Sequence, residues 1–211
     1  MSKSYTDILT TPEKKEFYKL AKFAEIGLLS GGTALALQFQ HRRSYDFDIF
    51  LSKPVPANLA RTARNTFGRI LIINDSKEEL SFTTKARLKI TFLHFPFPRL
   101  YAQFRLSPIG IAHWKDIVLD KAYALGKRAQ YRDYVDLFFS FRMKKIKLEW
   151  LISNAKRKFG DLFPDKLFLQ QLAYSKDISL APVEYIQDSH SPAEIFGFFA
   201  ALAEQFVKKK L

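Results

Sequence analysis

Two neighbouring segments decide how this sequence is interpreted: Gly31-Gly32-Thr33-Ala34-Leu35-Ala36-Leu37 and Tyr45-Asp46-Phe47-Asp48-Ile49-Phe50. Residues 45–51 alternate in character, which predicts a strand. On a strand, Asp46 and Asp48 point to the same face, about 7 Å apart. Carboxylates that close repel one another unless a cation or several hydrogen-bond donors lie beside them. Mg²⁺ prefers such hard oxygen ligands, commonly one or two carboxylates together with substrate phosphates. The pattern therefore predicts a Mg²⁺ site at this pair.

The glycine pair upstream is typical of a turn that binds phosphate. Gly31 and Gly32 let the backbone adopt positive φ angles and approach a ligand closely. Residues 33–39 are predicted to form a short helix, whose first N–H groups would face a phosphate placed there. Alone, an Asp-x-Asp pair is more typical of a solvated strand, and Gly-Gly of an ordinary turn. Joined by one short helix, the two features supply the parts needed for phosphoryl or nucleotidyl transfer.

Outward from these segments, the chain changes character near residue 107. Before it, strands are predicted at 45–51, 69–74, 80–84 and 87–95, with helices from residue 12 and at 58–67. Residues 26–29 are predicted to form either a buried strand or the end of a helix that leads into a tight turn. After it, five helices are predicted, at 112–127, 131–143, 148–159, 165–174 and 193–208. We therefore predict an α+β protein. Residues 1–107 would form a domain with a small mixed sheet and flanking helices, and residues 108–211 a helical bundle.

Composition narrows the class of function. The chain has 211 residues, no cysteine and a formal net charge of +13. The missing cysteine excludes disulfides, thiolate zinc sites and a cysteine nucleophile. The charge favours a polyanionic partner such as RNA or nucleotide phosphates. Neither a secretory signal nor an apolar run of about 20 residues is present, so we expect a cytoplasmic protein without a membrane partner.

Basic residues are concentrated in the second half of the sequence. Residues 121–166 contain 12 Lys and Arg against 5 Asp and Glu. Within this region lie Lys144, Lys145 and Lys147, and then the run Lys156-Arg157-Lys158. Such clusters are equally typical of an RNA-binding surface and of a solvated helix end, and both interpretations stay open.

The pattern Gly31-Gly32-Thr33-Ala-Leu-Ala-Leu-x₃-His41-Arg42-x-Ser44-x-Asp46-x-Asp48-Ile-Phe resembles the signature of the AbiEii/AbiGii toxin family. That family belongs to the polymerase-β-like nucleotidyltransferases. A second block is similar as well: Ser107-Pro108, Asp116, Lys121, Arg128, Arg132-Asp133 and Asp136. Together the two blocks cover about half of the chain.

The resemblance implies a nucleotidyltransferase-type sheet and Mg²⁺-dependent transfer of a nucleotide from a nucleoside triphosphate to an acceptor hydroxyl. The acceptor would be RNA or tRNA, and the protein the toxin of a toxin–antitoxin or phage-defence system with an antitoxin partner. Asp46 and Asp48 would ligate Mg²⁺. Lys121 would reach the triphosphate or the acceptor, with Asp133 or Asp136 nearby as a polar partner. The residues that would bind the nucleotide are Gly31, Gly32, Thr33, Arg43, Ser44 and Arg128.

One departure from the superfamily pattern leaves other functions open. Its members often carry a third carboxylate on a later strand, here the strand predicted at 87–95. That segment contains no Asp or Glu, and Thr91 or Leu93 would occupy the position. Transfer to a protein or a small molecule therefore stays open, and so does a catalytically degenerate module that only binds nucleotide or RNA. On the predicted helices, Lys121, Leu125 and Arg128 are expected to share one face.

Overall fold

The computed structural model describes residues 5–106 and 108–209. The chain divides into two compact units, Met1–Trp114 and Lys115–Leu211. The sequence predicts a domain boundary between residues 107 and 108. In the structure, a strand at Ile109–Ile111 pairs with Leu28–Ser30 and belongs to the first unit.

The first unit is built on a mixed sheet. Within the described residues, seven strands form it: β1 (Leu28–Ser30), β2 (Asp46–Leu51), β3 (Ile70–Asp75), β4 (Glu79–Thr84), β5 (Lys89–His94), β6 (Phe104–Leu106) and β7 (Ile109–Ile111). Their order is β3-β4-β5-β2-β1-β7-β6. The central strand β2 pairs antiparallel with β1 and parallel with β5, so the predicted mixed sheet is confirmed.

In the described part of the first unit, three α-helices accompany the sheet: α1 (Thr11–Lys19), α2 (Gly31–Phe39) and α3 (Leu59–Phe67). Thr10 caps α1 and forms a reciprocal capping box with Glu13, so the cap precedes Pro12 by two residues. The helix α2 begins directly after β1 at Gly31, two residues before the predicted start. This direct passage from strand to helix places the glycine pair in the first turn of α2.

Phenylalanine fills the core beneath one face of the sheet. Along β2, Phe47, Ile49 and Leu51 are buried, whereas Asp46, Asp48 and Phe50 alternate with them on the other face. Phe23 packs against Phe67 and Phe92, with ring centroids 5.8 Å and 4.8 Å apart. Burial of this face fixes the register of β2. The two aspartates are thereby held on the opposite face.

The second unit is helical, as predicted. Its helices are α4 (Trp114–Leu125), α5 (Tyr131–Lys144), α6 (Leu148–Phe159), α7 (Asp165–Ala173) and α8 (Pro192–Lys208). Tyr134, Phe138, Phe168 and Phe199 are fully buried within it. Among the described residues, none of the helices is both long enough and apolar enough to cross a bilayer.

Candidate active site

Gly31 brings the start of α2 against Asp48. Its φ angle is +67°, a conformation that residues with a side chain rarely adopt. A Cβ at this position would overlap Oδ2 of Asp48. Glycine is therefore required twice here, for the backbone angle and for the approach of the carboxylate. The positive end of the α2 dipole favours a negative charge at this position.

Gly32 packs against the loop that follows α2. A Cβ on Gly32 would lie 2.7 Å from Nη2 of Arg42 and 3.1 Å from Oγ of Ser44. Arg42 is buried, and its Nη1 donates to the carbonyl of Arg43 at 2.8 Å. Ser44 thus lies beside the glycine pair.

Two arginines, Arg42 and Arg43, lie in the segment between α2 and β2. Nη1 of Arg43 donates to the carbonyl of Ile8 at 3.0 Å, so this guanidinium is tied to the N-terminal segment. Arg42 is the arginine that lies against Gly32. The quoted pattern contains Arg42, whereas position 43 is variable in it.

Thr33 joins α2 to the strand that carries the two aspartates. It is fully buried, and its hydroxyl donates a hydrogen bond to the backbone carbonyl of Asp46. Thr33 therefore sets the position of the helix start against β2 through a hydroxyl that already has an acceptor. Its backbone N–H, in the first turn of α2, is the group suited to an anionic ligand.

Asp46 and Asp48 are half-buried on one face of β2. Two carboxylates on one face, beside the N-terminus of a helix, form a hard-oxygen donor set, and these residues fit Mg²⁺. Across residues 5–106 and 108–209, no group of three or more histidine and acidic side chains is arranged to hold a metal ion. The candidate site is thus a carboxylate pair.

A hydroxyl side chain lies next to Asp48 on the neighbouring strand β5. Asp48 pairs with Thr91 across β2 and β5, and Thr91 pairs with Ser81 on β4. On the other side, Asp48 pairs with Ser30 of β1. Paired residues share a face of the sheet, so these four side chains form a row. Of the two residues that the sequence left open, Thr91 and not Leu93 is the neighbour of Asp48.

Two hydroxyls in this row are buried without a partner. Ser30 is 0% and Ser81 is 1% exposed. Within the described part of the chain, neither Oγ has a hydrogen-bond partner. A buried hydroxyl without a partner destabilises the folded state by about 1–3 kcal/mol. Such groups in a native protein commonly bind water or ligand, which suits a polar site around Asp48.

Lys121 forms the centre of an ion cluster in the second unit. Its Nζ lies 2.6 Å from Oδ1 of Asp133 and 2.9 Å from Oδ2 of Asp136. Both carboxylates are buried, and Oδ2 of Asp133 has no hydrogen-bond partner within the described residues. The structure thus brings together the three residues of the second block that the resemblance associates.

The negative charge of Asp133 affects the pKa of the neighbouring Tyr134. Burial, and secondly the negative charge of Asp133, raise the pKa of Tyr134 to about 12. The Tyr134 hydroxyl donates to the carbonyl of Gln171 at 2.8 Å, which requires the protonated form.

The predicted shared face of Lys121, Leu125 and Arg128 is wrong for Arg128. Helix α4 ends at Leu125, and Arg128 lies beyond it, exposed, in the turn after Gly126. Gln130 precedes α5, and Asp133 lies in its first turn.

Lys158 is buried, whereas both interpretations of its basic run in the sequence expect an exposed side chain. It belongs to a basic run, yet its side chain is fully buried, with Nζ 2.7 Å from Oδ1 of both Asp116 and Asp120. The two aspartates lie one turn apart on α4. Because its partners lie about 40 residues away in the sequence, the local pattern contains no signal for this cluster.

Comparison with known proteins gives the fold. No family model matches this sequence. Over 193 residues the chain is 28% identical to the uncharacterized protein aq_aa25 of Aquifex aeolicus (strain VF5), covering 87% of this chain and 93% of that protein. A proposed nucleotidyltransferase from H. pylori superposes with a TM-score of 0.57 at 22% identity, over 97% of this chain and 94% of its own. JHP933 from Helicobacter pylori superposes with a TM-score of 0.54 at 21% identity, over 93% and 89%. The chain therefore has a nucleotidyltransferase-type fold.

Proposed function

We propose that the protein is a Mg²⁺-dependent nucleotidyltransferase that moves a nucleotide from a nucleoside triphosphate to an acceptor hydroxyl. The observation that carries this proposal is the contact between Gly31 and Asp48. The Asp48 carboxylate thus lies against the first turn of a helix, where phosphates are favoured, and Asp46 on the same face of β2 supplies a second oxygen ligand for a metal ion. The nucleotidyltransferase-type fold supports the proposal.

In this proposal, each residue has a defined task. The backbone N–H groups in the first turn of α2 bind the β- and γ-phosphates, and the Ser44 hydroxyl beside Gly32 lies close enough to join them. Asp46 and Asp48 would hold Mg²⁺, which when bound neutralises charge on the phosphates. Lys121 would contact the triphosphate or the acceptor, with Asp133 or Asp136 as its polar partner. Arg43 and Arg128 remain assigned to the nucleotide by the resemblance alone.

The reaction is a displacement at the α-phosphorus. The acceptor oxygen forms a bond to the α-phosphorus, and the bond between that phosphorus and the oxygen bridging to the β-phosphate breaks. Pyrophosphate leaves with the electron pair, and the proton of the acceptor hydroxyl passes to solvent or to a base. Thr91 cannot take that proton at neutral pH, since it is a hydroxyl. We therefore expect slow transfer that depends mainly on positioning and charge.

We further propose RNA, including tRNA, as the acceptor, and a role as the toxin of a toxin–antitoxin or phage-defence system with an antitoxin partner. The net charge of +13 and the resemblance of residues 31–50 to the AbiEii/AbiGii signature support this assignment. A second candidate, a module that binds nucleotide without transfer, is favoured by Thr91 at the place of the third carboxylate.

The proposal is tested first by binding. ATP, GTP, CTP and UTP are each added with and without Mg²⁺, and the melting temperature is followed. A nucleotide at about 100 times its Kd should stabilise the fold by about 2.7 kcal/mol. We expect a Mg²⁺-dependent shift for the wild type and its loss in Asp46→Asn and Asp48→Asn. Asp75→Asn, an exposed change on β3 of the same sheet, should keep the shift.

Transfer is then measured with nucleotide labelled at the α-phosphate. Label that enters RNA in the wild type and not in the two Asp variants supports the enzyme. Nucleotide binding without transfer to RNA, protein or small molecules would favour the binding module. Loss of the fold in both Asp variants would mean that the pair is structural, and a nucleotide shift unaffected by either would place the site elsewhere.

A further inference from the structure

A groove in the second unit lies between the start of α6 and the C-terminal end of α8. Its volume is about 510 Å³, within the usual range for ligand pockets. Its walls are largely apolar, formed by Ile146, Leu148, Trp150, Leu202 and Phe206. Polar side chains complete the lining: Lys147, Glu149, Gln205 and Lys209.

Two basic segments that are distant in the sequence meet at this groove. Lys147 ends the run that begins with Lys144 and Lys145, and Lys209 directly follows Lys208 at the end of α8. All five lysines are exposed. Two glutamates oppose these five lysines: Oε1 of Glu149, in the lining, lies 4.0 Å from Nζ of Lys209, and Oε1 of Glu204 lies 2.6 Å from Nζ of Lys208. The rim is therefore positive around an apolar floor.

We propose that this groove binds single-stranded RNA, with a base against Trp150 and backbone phosphates on the lysines of the rim. An aromatic side chain beside a basic rim is the usual arrangement for single strands, because every base has a face that can stack. The ammonium of Lys115 lies 6.0 Å from the centre of the Trp150 ring, which adds positive charge beside the indole. The inference rests on the proposed function only in identifying this RNA with the acceptor.

The dimensions of the groove favour RNA over a protein helix. A helix bound in a groove needs anchors over several turns and is about 10 Å wide. This groove is lined by residues 146–150, which are the first turn of α6 and the residues just before it, and by the last turns of α8. A space of that size accommodates a nucleotide and its neighbouring phosphates, and charge complementarity selects a polyanion.

The binding experiment uses the full chain without nucleotide or Mg²⁺, so that it is independent of Asp46 and Asp48. A fluorescein-labelled single-stranded RNA of about a dozen nucleotides is titrated, and the Kd is measured over a range of salt concentrations. The double change Lys147→Gln and Lys209→Gln should flatten the slope of log K against log salt by about 1.4, at about 0.7 for each phosphate that the protein no longer neutralises. Lys166→Gln with Lys176→Gln removes the same charge from exposed positions outside the groove and should leave the slope near that of the wild type.

Stacking has its own readout. The chain contains two tryptophans, Trp114 and Trp150, so Trp114→Phe leaves Trp150 as the sole indole reporter. RNA should quench its emission, whereas Trp150→Leu, which retains Trp114, should show no quenching. Trp150→Leu should also raise the Kd about 5- to 100-fold. Tyr174→Leu, at an exposed aromatic outside the groove, should not.

Three results would overturn the inference. The first is an equal flattening of the slope in the two double-lysine variants, and the second is an unquenched Trp150. The third is quenching by an acidic apolar peptide but not by RNA, which would make the groove a protein-docking site. Because the Mg²⁺-dependent nucleotide shift is measured separately, failure here leaves the proposed nucleotidyl transfer intact. Equally, if the protein binds RNA but no nucleotide, only the proposed nucleotidyl transfer would be overturned.

Discussion

Asp48 and Thr91 lie side by side on the parallel strands β2 and β5, on the same face of the sheet. An Asp at position 91 would therefore meet Asp48 directly. Thr91→Asp should lower the melting temperature without metal, because like charges directly opposite destabilise a sheet. Mg²⁺ should restore it, since the cation offsets the repulsion. Transfer should become faster, by at most about 10²- to 10⁴-fold, the usual range for a general base.

Thr91→Asn is the matched control, with similar shape and no charge. It should show neither the Mg²⁺-dependent recovery nor the faster transfer. A Thr91→Asp protein that recovers no stability in Mg²⁺ would show that the metal does not bind at Asp48.

Gly31 and Gly68 allow a paired test of the phosphate turn. Both have positive φ angles, +67° and +79°, but only at Gly31 would a Cβ meet other atoms. Gly68 has φ +79° and ψ −136°, a combination confined largely to glycine, so Gly68→Ala should cost only the backbone strain, about 1–3 kcal/mol. Gly31→Ala should cost more and abolish the nucleotide-induced shift, because Asp48 must move. Equal unfolding free energies in urea and retained nucleotide binding in both variants would contradict the assigned contact.

The parts of the site that the sequence predicted lie close together in the chain. Gly31, Gly32, Asp46 and Asp48 are joined by one helix, so their spacing and periodicity predict their arrangement. Which residue lies next to Asp48 depends on the register between β2 and β5. The alternation of residues 87–95 leaves Thr91 and Leu93 as candidates and does not decide between them. Strand β7, only three residues long, is too short to show a period, and its pairing with β1 depends on tertiary contacts.

Lys158 shows where local patterns fail. A lysine in a basic run at a helix end is indistinguishable in sequence from its exposed neighbours Lys156 and Arg157. Lys158→Met should destabilise the fold by about 3–5 kcal/mol, because it leaves Asp116 and Asp120 buried without their cation. Lys156→Met breaks an exposed pair with Asp165 and should cost less than about 1 kcal/mol. Denaturant unfolding measures both values. Similar costs would mean that the buried cluster is not formed.

Tyr134 provides a pH-dependent test of the charge on Asp133. Its pKa of about 12 lies above the ordinary value of 10. Its contribution to stability is therefore complete below pH 10 and is lost as the pH rises through 12. Tyr134→Phe should remove this alkaline dependence. Asp133→Asn should lower the pKa of Tyr134 while leaving it above 10, because burial is the larger cause. Absorbance titration of each variant against Tyr134→Phe would detect the shift, and an unchanged pKa of Tyr134 would contradict the assigned effect of Asp133.

The last prediction separates a catalytic role of Lys121 from a structural one. Its ammonium balances two buried carboxylates, so Lys121→Met should destabilise the fold by about 3–5 kcal/mol and reduce activity whatever its function. The single variant cannot distinguish the two roles. Neutralising the whole cluster separates the effect on stability from the effect on activity. Proteins in which a buried ion pair is replaced by neutral groups of similar shape are often no less stable.

We therefore expect the triple variant Lys121→Met, Asp133→Asn, Asp136→Asn to recover most of the stability that Lys121→Met alone removes. The control is the double variant Asp133→Asn, Asp136→Asn, which lacks the same two carboxylates but retains Lys121. If Lys121 contacts a phosphate, the triple variant should be folded yet transfer nucleotide more slowly than this control, because a positive charge at the developing phosphate charge is missing. Equal transfer rates in the two variants, at equal stability, would assign Lys121 to the support of the helical fold.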